Sequence, residues 1–379
     1  MARRWTINGR FLSQPTTGVQ RYAREVVRSL DALLAEQGPL ARGLDVRLHC
    51  PPGSEDIPLA FIERFEIGRT SGHIWEQTQL PSSLGGGGLL SLCNTGPLLS
   101  RKHIVCIHDA NVWNAPQSYS LAFRSFYRIL LPCLGRTAWG ISTVSNYSLG
   151  ELVRRGVVPV HRAFLAPNGH EHVLQWTPQH SAGTRLAASP QTIVMIGSAA
   201  PHKNVRLILN MAERLAAVGL RIAVVGMSDS RVFRSGSPKA NAQNIHWLGR
   251  ISDGELAALL ADSLCLAFPS LTEGFGLPAL EAMAVGCPVV VSDRASLPEV
   301  CANAALFVPP DDPEGWFDRF MQLRDCEDKR KQMIRRGRAR ASAYRWRATA
   351  LRYLKAMAAA DGADTLTKGG QGTRTHMIS

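Results

Sequence analysis

The sequence predicts an α/β protein that contains two doubly wound parallel sheets. Its 379 residues exceed the length that one hydrophobic core usually organises and suit two domains of roughly 150 to 200 residues. Short β-rich runs alternate with helix-like stretches, which is typical of a parallel sheet covered by helices on both faces. Residues 175–191, rich in Pro, Ser, Gly and Gln, separate two such halves and are typical of a linker.

The first half, residues 1–175, contains five predicted strands and a predicted helix from about Val19 to Leu34. The strands are predicted because Val, Ile, Leu and Cys cluster in short runs bounded by turn residues. The runs are Val46–Cys50, Leu89–Leu92, Ile104–Ile107, Ala138–Val144 and Phe164–Ala166.

The second half, residues 191–340, repeats the pattern more clearly and predicts a Rossmann-like domain. Leu207, Met211 and Leu215 follow helical spacing and predict a helix over 204–218. The polar residues 361–379, rich in Gly and Thr, are expected to form a disordered tail. The predicted strands are Thr192–Gly197, Arg221–Gly226, Ile245–Gly249, Leu264–Pro269, Pro288–Asp293 and Ala305–Val308.

Composition argues against several classes of protein. Hydrophobic residues make up 45% of the chain and charged residues 19%, as in soluble globular proteins. No apolar run is long enough to span a bilayer, and the first residues lack the apolar core of a secretory signal. The eight cysteines are scattered without a CxxC pair. We therefore expect a cytoplasmic protein without disulfides or a metal site.

The net charge of +13 is unevenly distributed. Residues 1–172 carry +6, residues 173–328 carry −4 and residues 329–379 carry +11. Such asymmetry indicates a polyanionic partner, either nucleic acid or the anionic face of a membrane. A solvated helix face is the alternative interpretation of the basic tail.

The segment Leu271–Met283, LTEGFGLPALEAM, allows two interpretations. The six residues from Gly274 match the GxGxxA pattern of a dinucleotide-binding turn, and Asp293 ends the next strand where a ribose-binding acid is expected. However, four residues separate the preceding strand from the first glycine, whereas that fingerprint needs its glycine in the turn itself. An NAD-dependent oxidoreductase therefore explains only the glycines.

The second interpretation places a nucleotide-sugar at the same turn. Pro278 at the first helical position leaves the backbone N–H groups near Gly276 and Leu277 available to a diphosphate. Glu281 lies one turn inside the helix, where it can bind ribose hydroxyls, and Glu273 lies in the preceding loop. Two acceptors separated by a phosphate-binding turn suit a sugar nucleotide, so we favour this interpretation.

The motif EGFGLPALEAMAVGCPVVVSD, residues 273–293, resembles the E-x7-E signature of the family 4 retaining glycosyltransferases. That resemblance implies the GT-B fold, with two facing Rossmann-like domains: an acceptor-side domain, 1–175, and a nucleotide-sugar-binding domain, 191–340. It also implies a terminal helix over 341–360 that crosses back to the first domain. Further segments agree in order: TTGVQRYARE (16–25), VCIHDA (105–110), STVSNYS (142–148), PNG (167–169), IGSAAPHKN (196–204), IHWLGRISDGEL (245–256) and YRWRATALRYL (344–354).

The resemblance implies a role for each matching residue. Glu273 would contact the transferred sugar, Glu281 the ribose, and Lys203 would neutralise the departing diphosphate. His108 and Asp109 would lie near the transferred sugar. The implied catalytic residues are therefore His108, Asp109, Lys203 and Glu273. The implied donor-binding residues are Gly18, Ser198, His202, Lys203, Arg250, Ile251, Glu273, Gly274, Phe275, Gly276, Leu277 and Glu281.

Supporting roles in the implied site are less specific. Lys203 would act with help from His202 or Arg206, and Gly18 would let the chain approach the diphosphate at a helix N-terminus. The sequence contains no DxD motif, so metal-independent transfer is expected, without a cofactor.

Residues 119–134 combine aromatic and aliphatic side chains with Arg124 and Arg128. This stretch predicts an amphipathic helix suited to an anionic bilayer, and a core-facing helix with extended arginines is the alternative. We expect a peripheral protein on the inner face of the plasma membrane. Its expected partners are a nucleotide-sugar donor, a glycan or lipid-linked sugar acceptor and an anionic membrane surface, without nucleic acid.

The resemblance implies transfer of a hexose with retention of anomeric configuration in cell-surface polysaccharide synthesis. GDP-mannose is the expected donor, and UDP- or dTDP-sugars are alternatives. Three competing functions are an NAD-dependent oxidoreductase, a GT-B epimerase and a basic nucleic-acid-binding protein. The epimerase would need no acceptor site, and the nucleic-acid-binding protein would have no use for Glu273 and Glu281.

Overall fold

The structure, a computed structural model, describes residues 3–197, 200–226 and 243–368. Within these ranges the chain divides into two compact units, each built on one sheet. Unit 1 comprises Met1–Ala110, Leu121–Gly169 and Arg345–Ser379, and unit 2 comprises Asn111–Ser120 and His170–Tyr344.

Unit 1 contains a seven-stranded sheet in the order β3-β2-β1-β4-β5-β6-β7. Every neighbouring pair of strands is parallel. The strands are β1 (Arg3–Asn8), β2 (Leu44–Cys50), β3 (Glu63–Glu66), β4 (Gly88–Ser91), β5 (His103–Cys106), β6 (Gly140–Thr143) and β7 (Ala163–Leu165).

Sequence patterns missed two of these strands. β1 opens with two arginines and buries only its last four residues, so it lacks the continuous apolar run of a central strand. β3 lies at the edge of the sheet, where its sequence ERFE pairs with β2 alone. The five predicted strands of this half are all present, with ends shifted by a few residues.

Unit 2 contains a six-stranded sheet in the order β10-β9-β8-β11-β12-β13, again entirely parallel. The prediction of two doubly wound parallel sheets is therefore confirmed. The strands are β8 (Thr192–Ile196), β9 (Arg221–Val225), β10 (Ile245–Gly249), β11 (Cys265–Phe268), β12 (Val289–Ser292) and β13 (Leu306–Val308).

Helices cover the sheets, and several are short. The α-helices are α1 (Gly18–Ala35), α2 (Gly72–Ile74), α3 (Leu80–Ser82), α4 (Asn111–Asn114), α5 (Leu121–Thr137), α6 (Asn146–Arg154), α7 (Ala182–Ala187), α8 (Val205–Leu209), α9 (Ala212–Ala217), α10 (Asp253–Ala261), α11 (Leu277–Val285), α12 (Leu297–Cys301), α13 (Pro313–Asp325), α14 (Glu327–Ala341) and α15 (Trp346–Lys368). A π-helical turn, Trp75–Gln79, joins α2 to α3. The 3₁₀ turns are Gly9–Ser13, Pro116–Ser118, Val160–Arg162, Glu171–Gln175, Pro201–Lys203 and Ala302–Ala304.

The division between the units differs from the expected boundaries at 175 and 191. Unit 2 begins at His170 and also takes in Asn111–Ser120. The predicted linker contains α7, and its Gln179 donates a backbone hydrogen bond to Gly254 O at 3.1 Å. The composition of this stretch resembles a linker because it is polar, but its backbone is hydrogen bonded within unit 2.

The terminal helix α15 belongs to unit 1 and packs against α1. The hydroxyl groups of Tyr22 and Tyr353 lie 2.7 Å apart in the buried contact. The helix was expected over 341–360 with a tail from 361, but it begins at Trp346 and continues through residue 368. The remainder of the expected tail, 369–379, lies outside the described residues. Among the described helices, none combines the length and apolarity needed to cross a bilayer.

Candidate functional site

The carboxyl edge of the unit 2 sheet is the place where doubly wound folds usually bind ligands. β11 ends there at Phe268, and a largely buried loop leads into α11. Helix N-termini carry unpaired backbone N–H groups and a partial positive charge, so this edge can receive an anion.

Gly276 shapes the turn that starts α11. Its φ of +95° lies in the left-handed region, which side chains with a Cβ rarely adopt. A Cβ at this position would also come within 2.6 Å of Leu297 Cδ2. Pro278 follows in the first turn, as the sequence predicted. The turn therefore requires glycine for two independent reasons.

Glu273 and Lys203 form an ion pair at this edge. Lys203 Nζ donates to Glu273 Oε1 at 2.7 Å, although the two residues come from different loops. Ser296 Oγ donates to the backbone oxygen of Glu273 at 3.0 Å. The Lys203 ammonium also lies 5.4 Å from the centre of the Phe268 ring. This arrangement places one cation and one carboxylate at the carboxyl end of β11.

Glu281 lies one turn into α11, and its partner is His172. His172 Nε2 donates to Glu281 Oε1 at 2.9 Å, and both side chains are buried. The Trp176 ring packs edge-on against His172 at 5.5 Å. His172 was not singled out from the sequence, although it follows the PNG segment that marked the end of the first half. Its hydrogen bond orients the carboxylate of Glu281.

His202 connects the loop that carries Lys203 to segment 111–120. His202 Nδ1 and Ser118 Oγ are hydrogen bonded at 2.7 Å. Burial lowers the pKa of His202, and the charge of Lys203 lowers it further. Leu271 N donates to His202 O at 2.8 Å, so the same residue supports the loop before Glu273. A neutral His202 therefore serves as a structural support beside Lys203.

Three other donor-binding candidates, Arg250, Ile251 and Gly18, have simpler surroundings. Arg250 is exposed and follows Gly249, whose φ is +60°. Ile251 comes next and is partly buried. Ser198 lies outside the described residues. Gly18 opens α1 in unit 1, where a Cβ would meet no atom within 4 Å and φ is not positive. Neither packing nor backbone conformation within the protein therefore requires glycine at position 18.

His108 lies just beyond β5 in unit 1, next to Asp109. Its Nε2 donates to Leu92 O at 2.8 Å, and its backbone N–H donates to Asn94 Oδ1 at 2.7 Å. The ring packs edge-on against Tyr22 at 4.7 Å and is buried. Internal hydrogen bonding therefore fixes the orientation of the imidazole.

Sequence comparison finds a family match that covers the larger part of unit 2. Residues 177–340 match the model of the family described as "Glycosyl transferases group 1". This region is therefore similar to the group 1 glycosyltransferases. It contains the Lys203–Glu273 ion pair and Glu281 of α11.

Two curated relatives illustrate the similarity. The chain is 26% identical over 258 residues to the O-antigen chain mannosyltransferase B of Escherichia coli, covering 64% of this chain and 66% of the relative. It is 28% identical over 282 residues to the MMP alpha-(1->4)-mannosyltransferase of Mycolicibacterium hassiacum, covering 70% of this chain and 66% of the relative. Both alignments span just under two thirds of the relative's own length.

A solved structure shows the fold over nearly the whole chain. The Anabaena protein Alr3699/HepE, whose crystal structure contains UDP and glucose, superposes with a TM-score of 0.70 at 14% identity. The match covers 97% of this chain and 100% of the Anabaena chain. The two parallel-sheet units are therefore those of a GT-B glycosyltransferase fold, as the sequence motifs implied.

Proposed function

We propose that this protein is a retaining glycosyltransferase that moves a hexose from a nucleotide-sugar to a glycan or lipid-linked acceptor in cell-surface polysaccharide synthesis. One observation carries the proposal. Glu273, paired with Lys203, and Glu281, paired with His172, lie on either side of the α11 N-terminus. This arrangement offers a cation and the positive end of a helix dipole for a diphosphate, between two carboxylates for hydroxyl groups.

The donor is proposed to bind along this edge in a single direction. Glu281 binds the ribose, while the backbone of Gly274, Phe275, Gly276 and Leu277 holds the diphosphate and part of the sugar. Arg250 and Ile251 frame the base, and Ser198 completes the donor contacts. His172 supports the proposal because it holds Glu281 in one orientation before the nucleotide arrives.

The chemistry is proposed to rest on charge stabilisation of the leaving diphosphate. Lys203 would turn from Glu273 toward the phosphate oxygens as negative charge accumulates on them. His202 would support Lys203 without carrying charge itself, because its pKa is lowered. Released from Lys203, Glu273 would accept hydrogen bonds from the sugar. Gly18 is a proposed diphosphate contact.

Retention is proposed to follow from attack on the face from which the diphosphate departs, with the leaving group receiving the acceptor's proton. His108 and Asp109 are the proposed catalytic residues of unit 1. Because the His108 ring is held by its hydrogen bond to Leu92 O and the His108 backbone by Asn94, we assign His108 to positioning the sugar.

Mannose from GDP-mannose is the proposed donor substrate. The names of the two curated relatives describe mannosyltransferases, which supports the sugar. UDP- and dTDP-sugars are the alternatives that the first experiment separates.

Calorimetric titration with GDP, UDP, dTDP and NAD is the direct test. We expect one nucleoside diphosphate to bind and Glu281→Gln to weaken it by about 10- to 100-fold, because a hydrogen bond to a charged group is lost. Asp262→Asn is the matched control, since Asp262 also pairs with a histidine, His180, at 2.9 Å. Binding of NAD alone, unaffected by either substitution, would refute the glycosyltransferase proposal.

The proposed location is the inner face of the plasma membrane, on an anionic surface. α5 presents Leu121 and Ile129 two turns apart, 73% and 68% exposed. Arg124 and Arg128 lie on the same helix. Exposed apolar side chains with neighbouring arginines suit an interfacial helix, and the basic α14 is a second candidate surface.

Vesicle sedimentation at low salt tests this location. We expect the protein to sediment with vesicles of phosphatidylglycerol and phosphatidylcholine, and to be released by salt. The double variant Leu121→Gln, Ile129→Gln should bind at least about fivefold less, because buried apolar area is lost. Leu186→Gln is the control, since Leu186 is equally exposed, at 68%, but lies in unit 2. Protein that stays in the supernatant with anionic vesicles would contradict membrane docking.

A further inference from the structure

A second cluster of polar side chains lies at the carboxyl edge of the unit 1 sheet. Its members follow different strands: Arg10 follows β1, Glu76 follows β3 and Thr95 follows β4. None of them was singled out from the sequence. Their convergence at the ligand-binding edge of a doubly wound sheet calls for a functional explanation.

Glu76 is the centre of this cluster and is 1% exposed. Its Oε1 accepts hydrogen bonds from Asn8 Nδ2 at 2.7 Å, Thr95 Oγ1 at 3.0 Å and Arg10 Nε at 3.1 Å. Burial opposes the ionisation of Glu76, but the hydrogen bond from His73 and the charge of Arg10 outweigh it and lower its pKa.

A buried ion pair of this kind adds little stability. Removing two charges from water costs about as much as their attraction returns, so an apolar pair of similar volume would serve the fold equally well. Arg10 and Glu76 are both almost fully buried. The presence of this charged pair at a ligand-binding edge is therefore better explained by a role in positioning a neighbouring functional side chain.

The residue that Glu76 positions is His73. His73 Nδ1 donates to Glu76 Oε2 at 3.2 Å, while the His73 side chain remains 37% exposed. With Nδ1 engaged, Nε2 lies on the opposite side of the ring, and it makes no hydrogen bond within the described part of the chain. The Arg10–Glu76 pair therefore holds an imidazole whose Nε2 is available to a ligand. This nitrogen can donate a hydrogen bond to a hydroxyl group or accept one from it.

An aromatic ring lies beside this imidazole. The Phe126 and His73 rings are 4.9 Å apart, and Phe126 is 41% exposed. The Tyr127 ring packs edge-on against Phe126 at 5.5 Å, and Tyr127 itself lies close to Arg10 and Glu76. The exposed surface thus combines one apolar ring face with one hydrogen-bonding nitrogen.

We propose that His73 and Phe126 form the subsite for the acceptor sugar, with Glu76 and Arg10 as positioning residues. A pyranose presents an apolar face of C–H groups and an edge of hydroxyl groups. The apolar face can pack on the Phe126 ring while a hydroxyl group hydrogen bonds to His73. This inference rests on the proposed transferase function and adds a subsite in unit 1. A bilayer surface does not explain the cluster, because lipid contact requires no buried carboxylate behind a histidine.

Saturation-transfer NMR on the full chain, with the bound nucleoside diphosphate present, tests the subsite. The probes are the methyl glycosides of mannose, glucose, rhamnose, N-acetylglucosamine and N-acetylgalactosamine. We expect at least one glycoside to receive saturation at its ring protons. Phe126→Ala and His73→Ala should each weaken its binding by about 5- to 10-fold. Phe126→Tyr should retain binding, because the ring face is kept.

Two controls separate the subsite from general disruption. Ser125→Ala alters an exposed residue of the same helix and should leave glycoside binding unchanged. Glu76→Gln should weaken glycoside binding while leaving the Kd for the nucleoside diphosphate unchanged, and it should shift the imidazole ¹⁵N resonances of His73. A fold defect would change both ligands together.

The outcomes are distinguishable. If the protein binds a nucleoside diphosphate but no glycoside, or binds a glycoside equally well in all variants, the subsite is wrong and the donor site stands. If it binds no nucleoside diphosphate, the proposed function fails and the subsite fails with it. Loss of glycoside binding only in the Phe126, His73 and Glu76 variants would establish the subsite.

Discussion

Replacing Lys203 with alanine is expected to lower donor turnover by about 100- to 1,000-fold, because the leaving diphosphate loses the cation proposed to stabilise it. The measurement is release of nucleoside diphosphate from sugar nucleotides that carry the base identified by titration, which requires no knowledge of the acceptor. Glu273 loses its 2.7 Å partner in this variant, so some loss of stability is also expected. The comparison must therefore separate catalysis from folding.

Lys102 provides that comparison in unit 1. Its Nζ lies 2.8 Å from Asp361 Oδ1, and the two side chains are 20% and 11% exposed, against 21% and 10% for Lys203 and Glu273. Each lysine also lies near an aromatic ring, Trp5 for Lys102 and Phe268 for Lys203. Lys102→Ala should lower Tm without slowing donor turnover. Equal slowing in the two variants would remove Lys203 from the mechanism.

Replacing Gly276 with alanine is expected to lower the free energy of unfolding by about 2 to 4 kcal/mol. The φ of +95° is unfavourable for alanine, and its Cβ would press on the buried Leu297 at 2.6 Å. Since this strain falls on the first turn of α11, nucleotide affinity should fall by at least about 10-fold as well. Urea unfolding and calorimetric titration measure the two effects.

Gly286 is the matched control at the other end of α11. Its φ is +98°, and a Cβ there would meet Arg338 Nη2 at 2.6 Å. That atom ends a flexible, exposed side chain that can move away, so Gly286→Ala should cost only about 1 to 2 kcal/mol of stability. Nucleotide affinity should be unchanged. If both variants lose nucleotide binding to the same extent, the loss is caused by reduced stability and not by distortion of the α11 N-terminus.

Local sequence was a good guide wherever the required interactions are local. Cys265–Phe268 and Val289–Ser292 are buried on both faces, so each reads as a continuous apolar run. Glu273 and Glu281 are eight residues apart, and the turn and helix between them follow from Gly276 and the proline after Leu277. The strands that were missed lack such a run: β1 opens on charge, and β3 is a polar edge strand.

The partners of the site residues could not be derived in the same way. Glu273 meets a lysine 70 residues away, and Glu281 meets a histidine 109 residues away. Resemblance to a known family supplied Lys203, but no motif indicated His172. Arg10, His73 and Glu76 passed unnoticed because each, taken alone, resembles an ordinary surface residue.

The sequence by itself determined the two parallel sheets, the turn at Gly276 and the spacing of the two glutamates. These features depend on hydrophobic periodicity and backbone conformation, which act over a few residues. Only the tertiary structure decided which charges pair. It also brought Tyr22 of α1 against Tyr353 of α15 and placed residues 111–120 in unit 2. Those outcomes arise because parallel strands bring the ends of distant segments to one edge of the sheet. At that edge the order of the strands in the sheet, and not distance along the sequence, decides which side chains meet.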